Sequence, residues 1–442
     1  MKNNSIYNDY KIKSILFIFF ILCVFPFIFL AQYNLPLSDE FVCMHFKNSS
    51  NFIEYQKILF TTWSGRYVSN LLEIIYPLNI YYPFYQFIPV ILITLFYLTI
   101  LLISKKLVYK NHIIFSIFLF IILLNYLPSV AELFYYVPAI IIYTVSFISI
   151  LILISIWLSE ISIKYKIVSL IINNIILLGT TELYIPLVVY FSFILLFISI
   201  KEKKSIKFYI FNLLAILFIL LYLFTQKGNL NRYGIQTGNL NLYNCFYNYL
   251  FAIFYWTKKF LILIPFIFLL IYIIRKDENI LWLSKKINRP QIIIMTLGYF
   301  AMFTPLFFIN LTYYIRTANV FFIYFIIMSL VISIKIIPEF EFNIKNGKLL
   351  LLLFTLIIFL LTGNIKSAYL DIYYGYTKNM SKALKNRYSY LEKNRNSKLL
   401  ILDKIPKTDY LLMIQDVNDR NDNNLADDMY KRYYHIDSLI IR

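Results

Sequence analysis

Two acidic residues, Asp39 and Glu40, stand together a few positions after the first long apolar run, and Arg66 follows in the same inter-run segment, within Trp63-Ser64-Gly65-Arg66-Tyr67. Further along, Glu132 and Glu182 each lie within a few residues of another apolar run. An ionised carboxylate so close to hydrocarbon costs a few kcal/mol unless it faces protein or a water-filled cavity, which marks such residues as functional candidates. Taken singly, each is served equally well by ordinary solvation at an interface. Taken together, carboxylates on one side of a bundle point to one cavity that handles hydroxyls or protons. The segment around Lys227-Gly228-Asn229 and Arg232 contributes cations and glycines without acids, a composition suited to an anionic ligand.

The elements that must position these residues are membrane spans. Of 442 residues, 60% are apolar and only 15% charged, far from soluble averages, and this excludes a soluble-enzyme reading. Runs at Ser14–Ala31, Pro83–Ser104, Pro138–Leu158, Leu183–Ile200, Phe208–Phe224, Phe260–Ile274, Ile292–Asn310, Val320–Ile334 and Leu349–Leu361 approach the ~20 residues a spanning helix needs. Ile113–Leu127 and Ile167–Gly179 are shorter and enter because the topology needs them. The expectation is an all-α polytopic bundle of about 11 transmembrane helices. Its first run follows Lys2, Lys11 and Lys13 and lacks a small-x-small cleavage site, so it reads as an uncleaved span.

Lysine and arginine set the orientation. With the N-terminus in the cytoplasm, the inner segments hold twenty basic residues and the outer loops before the C-terminal tail hold eight. That places the N-terminus inside, the C-terminus outside, and Asp39, Glu40, Glu54, Glu73, Glu132 and Glu182 on the outer side. The net charge of +19 is scattered between runs rather than gathered on one motif, so nucleic acid is not an expected partner. Cys43 and Cys245 both fall outside the membrane in this topology. One disulfide between them is open, with no motif to support it.

The chain is expected to divide into a transmembrane part, 1–366, with long outer loops at 32–82 and 225–247, and a C-terminal module, 367–442. Within the first loop, Ile53–Ile75 alternates apolar and polar residues as an amphipathic helix on the outer leaflet would. In the tail, charged Met380–Lys398 suits a helix, Lys398–Leu402 and Tyr410–Ile414 suit strands, and Leu425–Ile441 reads helix then strand, together a small external α/β appendage.

In order along the chain, Ser38-Asp39-Glu40-Phe41, Trp63-Ser64-Gly65-Arg66-Tyr67, Glu132, Gly179-Thr180-Thr181-Glu182, Lys227-Gly228-Asn229 with Arg232, and Asn424 with Tyr433-Tyr434-His435 resemble an uncharacterised family of bacterial polytopic membrane proteins. That family is itself similar to the GT-C glycosyltransferases, including the glucosyltransferases that modify O-antigen. The resemblance implies a multi-pass enzyme of the cytoplasmic (inner) membrane that moves a sugar from a polyprenyl-phosphate carrier to a glycan, lipid or protein acceptor outside. Two departures stand out: the paired acids are Asp-Glu, and Lys227-Gly228-Asn229-Leu230-Asn231-Arg232 replaces a Pro-Gly-Asn-x-x-Arg pattern.

Such a transfer needs a base at the acceptor hydroxyl, cations for the departing phosphate and a groove open to lipid. Asp39 is the expected base, with Glu40 orienting the acceptor or helping to hold a divalent cation (Mg or Mn). Arg232 and Arg316 are the expected phosphate clamps, because guanidinium meets phosphate oxygens bidentately. Arg66 is expected to pair with Asp39 or Glu40, and Trp63 to stack on a sugar or lie in the aromatic belt. Glu132, Glu182 and Asn229 complete the substrate-binding set. A polysaccharide polymerase or ligase, a secondary transporter and a non-catalytic membrane protein are the competing readings.

Overall fold

The computed structural model describes residues 2–37, 40–41, 44–45, 51–62, 65–75, 82–157, 159, 161–201, 206–227, 242–304, 315–339, 348–403, 405 and 425–441. The chain is built almost wholly of helices. They are α1 (Lys2–Ala31), α2 (Phe52–Thr62), α3 (Tyr67–Ile75), α4 (Tyr82–Leu107), α5 (His112–Tyr126), α6 (Val130–Phe134) and α7 (Val137–Ala139). A π-helical turn (Ile140–Thr144) leads into α8 (Val145–Trp157), then α9 (Ile163–Thr180), a 3-10 turn (Glu182–Tyr184), α10 (Ile185–Lys201) and α11 (Ile206–Thr225). There follow α12 (Leu242–Phe260), α13 (Ile264–Ile274), α14 (Glu278–Lys286), α15 (Arg289–Ala301), α16 (Ile315–Ile336), α17 (Lys348–Leu361), α18 (Gly363–Tyr374) and α19 (Tyr376–Lys393). The strand β1 (Leu399–Leu402), α20 (Leu425–Tyr434) and the strand β2 (Ser438–Ile441) come last.

Among the described residues, the apolar runs of the sequence are helical nearly throughout. By length and composition five stretches among the described residues can cross a bilayer: Ser14–Ala31, Phe84–Leu107, Val137–Ile156, Tyr243–Ile274 and Thr317–Ile336. A sixth arises if α17 and α18, bent by 53° at Gly363, form one broken span. The bend has a local cause. Gly363 has φ +63, and a Cβ there would lie 2.4 Å from the Asn125 carbonyl, so the chain turns where only glycine fits. The amide of Ile365 then donates to Asn125 Oδ1 at 2.9 Å, and Asn364 Nδ2 donates to the carbonyls of Leu124 and Leu127.

The spans are apolar on all sides. α1 buries Cys23 and Phe27 while exposing Phe17, Ile18, Ile21 and Phe25, and α11 buries Ile216 while exposing Leu214, Leu217, Phe218 and Leu221. Water would not tolerate such faces, whereas lipid would. The protein is a multi-pass membrane protein.

One end of the bundle is tied by Asp277. Its carboxylate accepts from the amides of Tyr109, Lys110 and Asn279 at 3.0, 2.9 and 3.1 Å, joining the α4–α5 turn to the start of α14. At the other end, α18 turns into α19 through Gly375, whose φ is +67. Glycine there leaves α19 without a capping side chain, and Asp371 substitutes from the preceding helix by accepting from the Thr377 amide at 2.8 Å and from the Thr377 hydroxyl. β1 and β2 pair in parallel, Leu399 opposite Ser438 through Leu402 opposite Ile441, with α20 between them in sequence.

Two expectations change. The amphipathic helix over Ile53–Ile75 is two helices, α2 and α3, because the chain breaks at Gly65–Arg66 before restarting at Tyr67. The second point is the open Cys43–Cys245 pairing: Cys245 is a free, buried thiol, and Cys43 lies outside the described residues.

Candidate functional site

Around the π-helical turn Ile140–Thr144 pack the elements that carry or adjoin three of the sequence motifs. The chain reaches it through a series of breaks. α5 ends at Tyr126, Pro128 intervenes, and Ser129 caps α6 by accepting the Glu132 amide at 3.3 Å. α6 lasts five residues, α7 three with Pro138 in its first turn, and the backbone then widens into the π turn before α8 runs on. The Thr144 hydroxyl donates to the Leu133 carbonyl and so satisfies an acceptor that the break leaves over. π turns in α-helices gather at functional sites. Glu132, in the first turn of α6, is 6% exposed.

Four other pieces pack on this turn or beside it. α3, which Arg66 precedes by one residue, packs on it. Arg66 is 8% exposed, and its carbonyl accepts from the Ser69 hydroxyl at 3.1 Å. α9 packs on the turn by its C-terminal end, where the buried Thr180 hydroxyl bonds that of Ser146. α16 packs on both the π turn and the 3-10 turn that carries Glu182. Arg316 is the second residue of α16, and one turn later Asn319 locks the site. Asn319 Oδ1 accepts the Ser129 amide at 3.1 Å, and its Nδ2 donates to the Ser129 carbonyl at 3.1 Å.

The Trp-Ser-Gly-Arg-Tyr and Gly-Thr-Thr-Glu motifs fit each other directly. The Tyr67 hydroxyl donates to the Ile175 carbonyl at 2.7 Å, and its ring lies so close to Gly179 that a Cβ there would fall 2.4 Å from Tyr67 Cε2. Tyr67 also meets the Tyr222 ring edge-on at 5.9 Å. Burial, and secondarily the neighbouring Tyr222, push the Tyr67 hydroxyl pKa up to about 12, so it remains a neutral donor.

Glu40 belongs to a neighbouring layer. It is 1% exposed and accepts the amide of Leu37. Phe41, beside it, sits among the rings of Tyr388, Tyr430, Tyr433 and Tyr434 at 5.1, 5.0, 5.3 and 5.9 Å. The Tyr388 hydroxyl donates to the Pro36 carbonyl. The chain after α1 is therefore clasped by the C-terminal region. It is also stitched toward the π turn, because Asn34 Nδ2 donates to the carbonyls of Tyr85 and Tyr135, the latter directly after α6. His45 faces His435 at 6.1 Å between ring centres. Partial burial, with the charges of His435 and Arg432, holds the His45 pKa below its ordinary value.

Asp39, Trp63, Asn229 and Arg232 lie outside the described residues, as do the side chains of Glu182 and Arg316. Of the expected set, Glu132, Arg66, Glu182 and Arg316 belong to or adjoin elements that pack on the π turn or on α16, and Glu40 lies under the C-terminal clasp. Sequence reasoning passed over Asn34, Ser129, Thr144 and Asn319; the polar Asn319 inside an apolar run, and a serine directly after Pro128, were the available signals. Among the described residues, no three His, Cys, Asp or Glu side chains come together as a metal cage. The chain matches no protein-family model, no curated protein and no solved structure.

Proposed function

We propose that the protein is a membrane glycosyltransferase of GT-C type. It would move a sugar from a polyprenyl-phosphate donor to a glycan, glycolipid or protein acceptor on the outer face of a bacterial cytoplasmic membrane. The observation that supports this reading is the packing on one π turn of α6, which carries the buried carboxylate of Glu132, of α3, which the buried Arg66 precedes by one residue, and of α16. Buried acid and base on an irregular backbone are costly to stability and are kept where a ligand uses them.

In this reading about eleven spans carry the N-terminus inside and the C-terminal α/β module outside. Asp39 takes the proton of the acceptor hydroxyl as its oxygen attacks the anomeric carbon. The bond from that carbon to the carrier phosphate breaks, and the phosphate leaves with its electron pair toward Arg232 and Arg316. Glu132, Glu182 and Asn229 hold hydroxyls of the sugars, Trp63 offers a stacking face, and Arg66 balances the acids. Glu40, already bonded to the Leu37 amide, orients the segment that carries Asp39. A divalent cation would draw on Asp39 and Glu40, and the chemistry it supplies is charge neutralisation at the leaving phosphate.

A secondary transporter is the second reading, favoured by one observation: the interrupted α6–α7–π–α8 stretch with a buried carboxylate resembles the discontinuous helices of transporter sites. A glycan comparison by mass spectrometry decides between the two. Surface polysaccharide, glycolipids and glycoproteins are compared from cells with the wild-type gene, a deletion, Asp39→Asn and Glu132→Gln at equal membrane level. The transferase reading expects all three altered strains to lack the same sugar. Shortened polymer chains in the deletion alone would point to a polymerase or ligase, and unchanged glycans throughout would remove the transferase reading.

A further inference from the structure

The end of the bundle tied by Asp277 carries a charge pattern that the transfer reaction does not use. Segments 105–112, 272–291 and 333–337 meet there: the α4–α5 turn through the Asp277 bonds, and α16 through Lys335 Nζ, which donates to the Ser284 carbonyl at 3.2 Å. Nine lysines and arginines stand in these segments against two acids. Asp277 is buried and spent on three backbone amides, and Glu278 pairs with Lys110 at 3.4 Å.

The geometry is that of a helix lying in an interface. α14 exposes Leu281 and Trp282 and, one turn on, Lys285 and Lys286, so an apolar pair and a basic pair share one outward side. Lys286 Nζ sits 4.0 Å over the Trp282 ring, and Arg275 stands 4.2 Å over the Tyr272 ring. Aromatic rings at headgroup level with cations above them are the arrangement by which interfacial helices hold acidic lipid. We propose that this end of the bundle is a binding surface for anionic phospholipid headgroups, with α14 lying at the bilayer surface and Lys285, Lys286 and Arg289 as its phosphate contacts. The occupant is lipid rather than a soluble anion because exposed Leu281 and Trp282 require an apolar phase beside the cations. The inference rests on the membrane reading and not on the transferase reading.

The test is native mass spectrometry of the full-length protein given equal amounts of phosphatidylglycerol and phosphatidylcholine. Each basic residue near a lipid surface is worth about fivefold in partitioning, so three are worth on the order of a hundredfold. The wild type is expected to retain phosphatidylglycerol preferentially, and Lys285→Gln/Lys286→Gln/Arg289→Gln to retain the two lipids nearly equally. All three side chains are exposed, so the fold survives their loss. Lys258→Gln/Lys259→Gln at the far end of α12 is expected to keep the wild-type preference. Equal retention by the wild type overturns the proposal, as does an undiminished preference in the triple variant or displacement of the lipid by excess inorganic phosphate.

Discussion

Asn319 and Ser129 exchange two hydrogen bonds, each 3.1 Å, and through them α16 grips the chain just before α6. Asn319 has no exposure to solvent, so both bonds form where water cannot replace them. Asn319→Ala leaves the Ser129 amide and carbonyl unsatisfied, at a cost of about 1–3 kcal/mol. Thermal unfolding of the detergent-solubilised protein is expected to begin several degrees lower. Asn319→Asp keeps the acceptor but loses the donor and places a charge beside Glu132's helix, so it is expected to be worse than alanine. A melting curve in which alanine matches wild type would dissociate this pair from stability.

The Glu132 side chain sits behind that grip. Glu132→Gln preserves shape and hydrogen-bonding capacity and removes charge. The variant is expected to keep a melting temperature close to that of wild type while losing activity by a factor on the order of 100, the usual scale for one acid–base or charge-positioning group. Thermal shift reads the first and glycan transfer the second. Parallel loss of both would make Glu132 a structural residue.

How much of this was legible in the sequence differs between levels for physical reasons. Spans are written in composition, and each apolar run became helix because lipid demands that backbone groups bond within their own segment. The π turn was not legible. Pro138 sits in the run Pro138–Leu158, which reads as one helix, and the widening at Ile140–Thr144 depends on Thr144 reaching back to Leu133. Arg66 and Glu132 were singled out because charge near hydrocarbon is conspicuous. The packing of α3 and α6 on one turn was not, because α3 starts only after the break at Gly65, where an amphipathic pattern runs on unbroken. The clasp of tyrosines on Phe41 joins residues some 350 positions apart, a pairing that no local pattern encodes.

Gly179 tests the fit between two motifs. A methyl group there would lie 2.4 Å from Tyr67 Cε2 and 2.6 Å from Val68 Cγ2, so α3 and α9 must separate to admit it. Overpacking of this kind costs about 1–3 kcal/mol. Gly179→Ala is expected to lower the melting temperature and shift Arg66 away from the π turn, reducing activity as well. Trimming the obstructing ring with Tyr67→Ala in the same chain is expected to recover part of the stability; no recovery would place the cost elsewhere than at this contact.

The His45–His435 pair makes docking of the C-terminal region depend on pH. His45 has its pKa lowered by burial first and by His435 and Arg432 next, so its neutral form is the one the docked state favours. The docked state thus keeps its full stability above the ordinary histidine pKa of about 6.5 and loses some as pH falls through that value toward the lowered one. His435 itself caps α20 in the left-handed conformation with φ 57, and the Ile436 amide closes the turn on the Lys431 carbonyl at 2.9 Å. Backbone and ring can therefore be separated. His435→Gly keeps the cap and removes one cause of the lowered His45 pKa, and is expected to make the acid loosening smaller, whereas His45→Gln should remove most of it. Limited proteolysis of the C-terminal region between pH 7.5 and 5 reads the effect directly. Cleavage that rises on acidification in wild type but stays flat in His45→Gln confirms the pair as the sensor, and equal acid sensitivity in both assigns it to other groups.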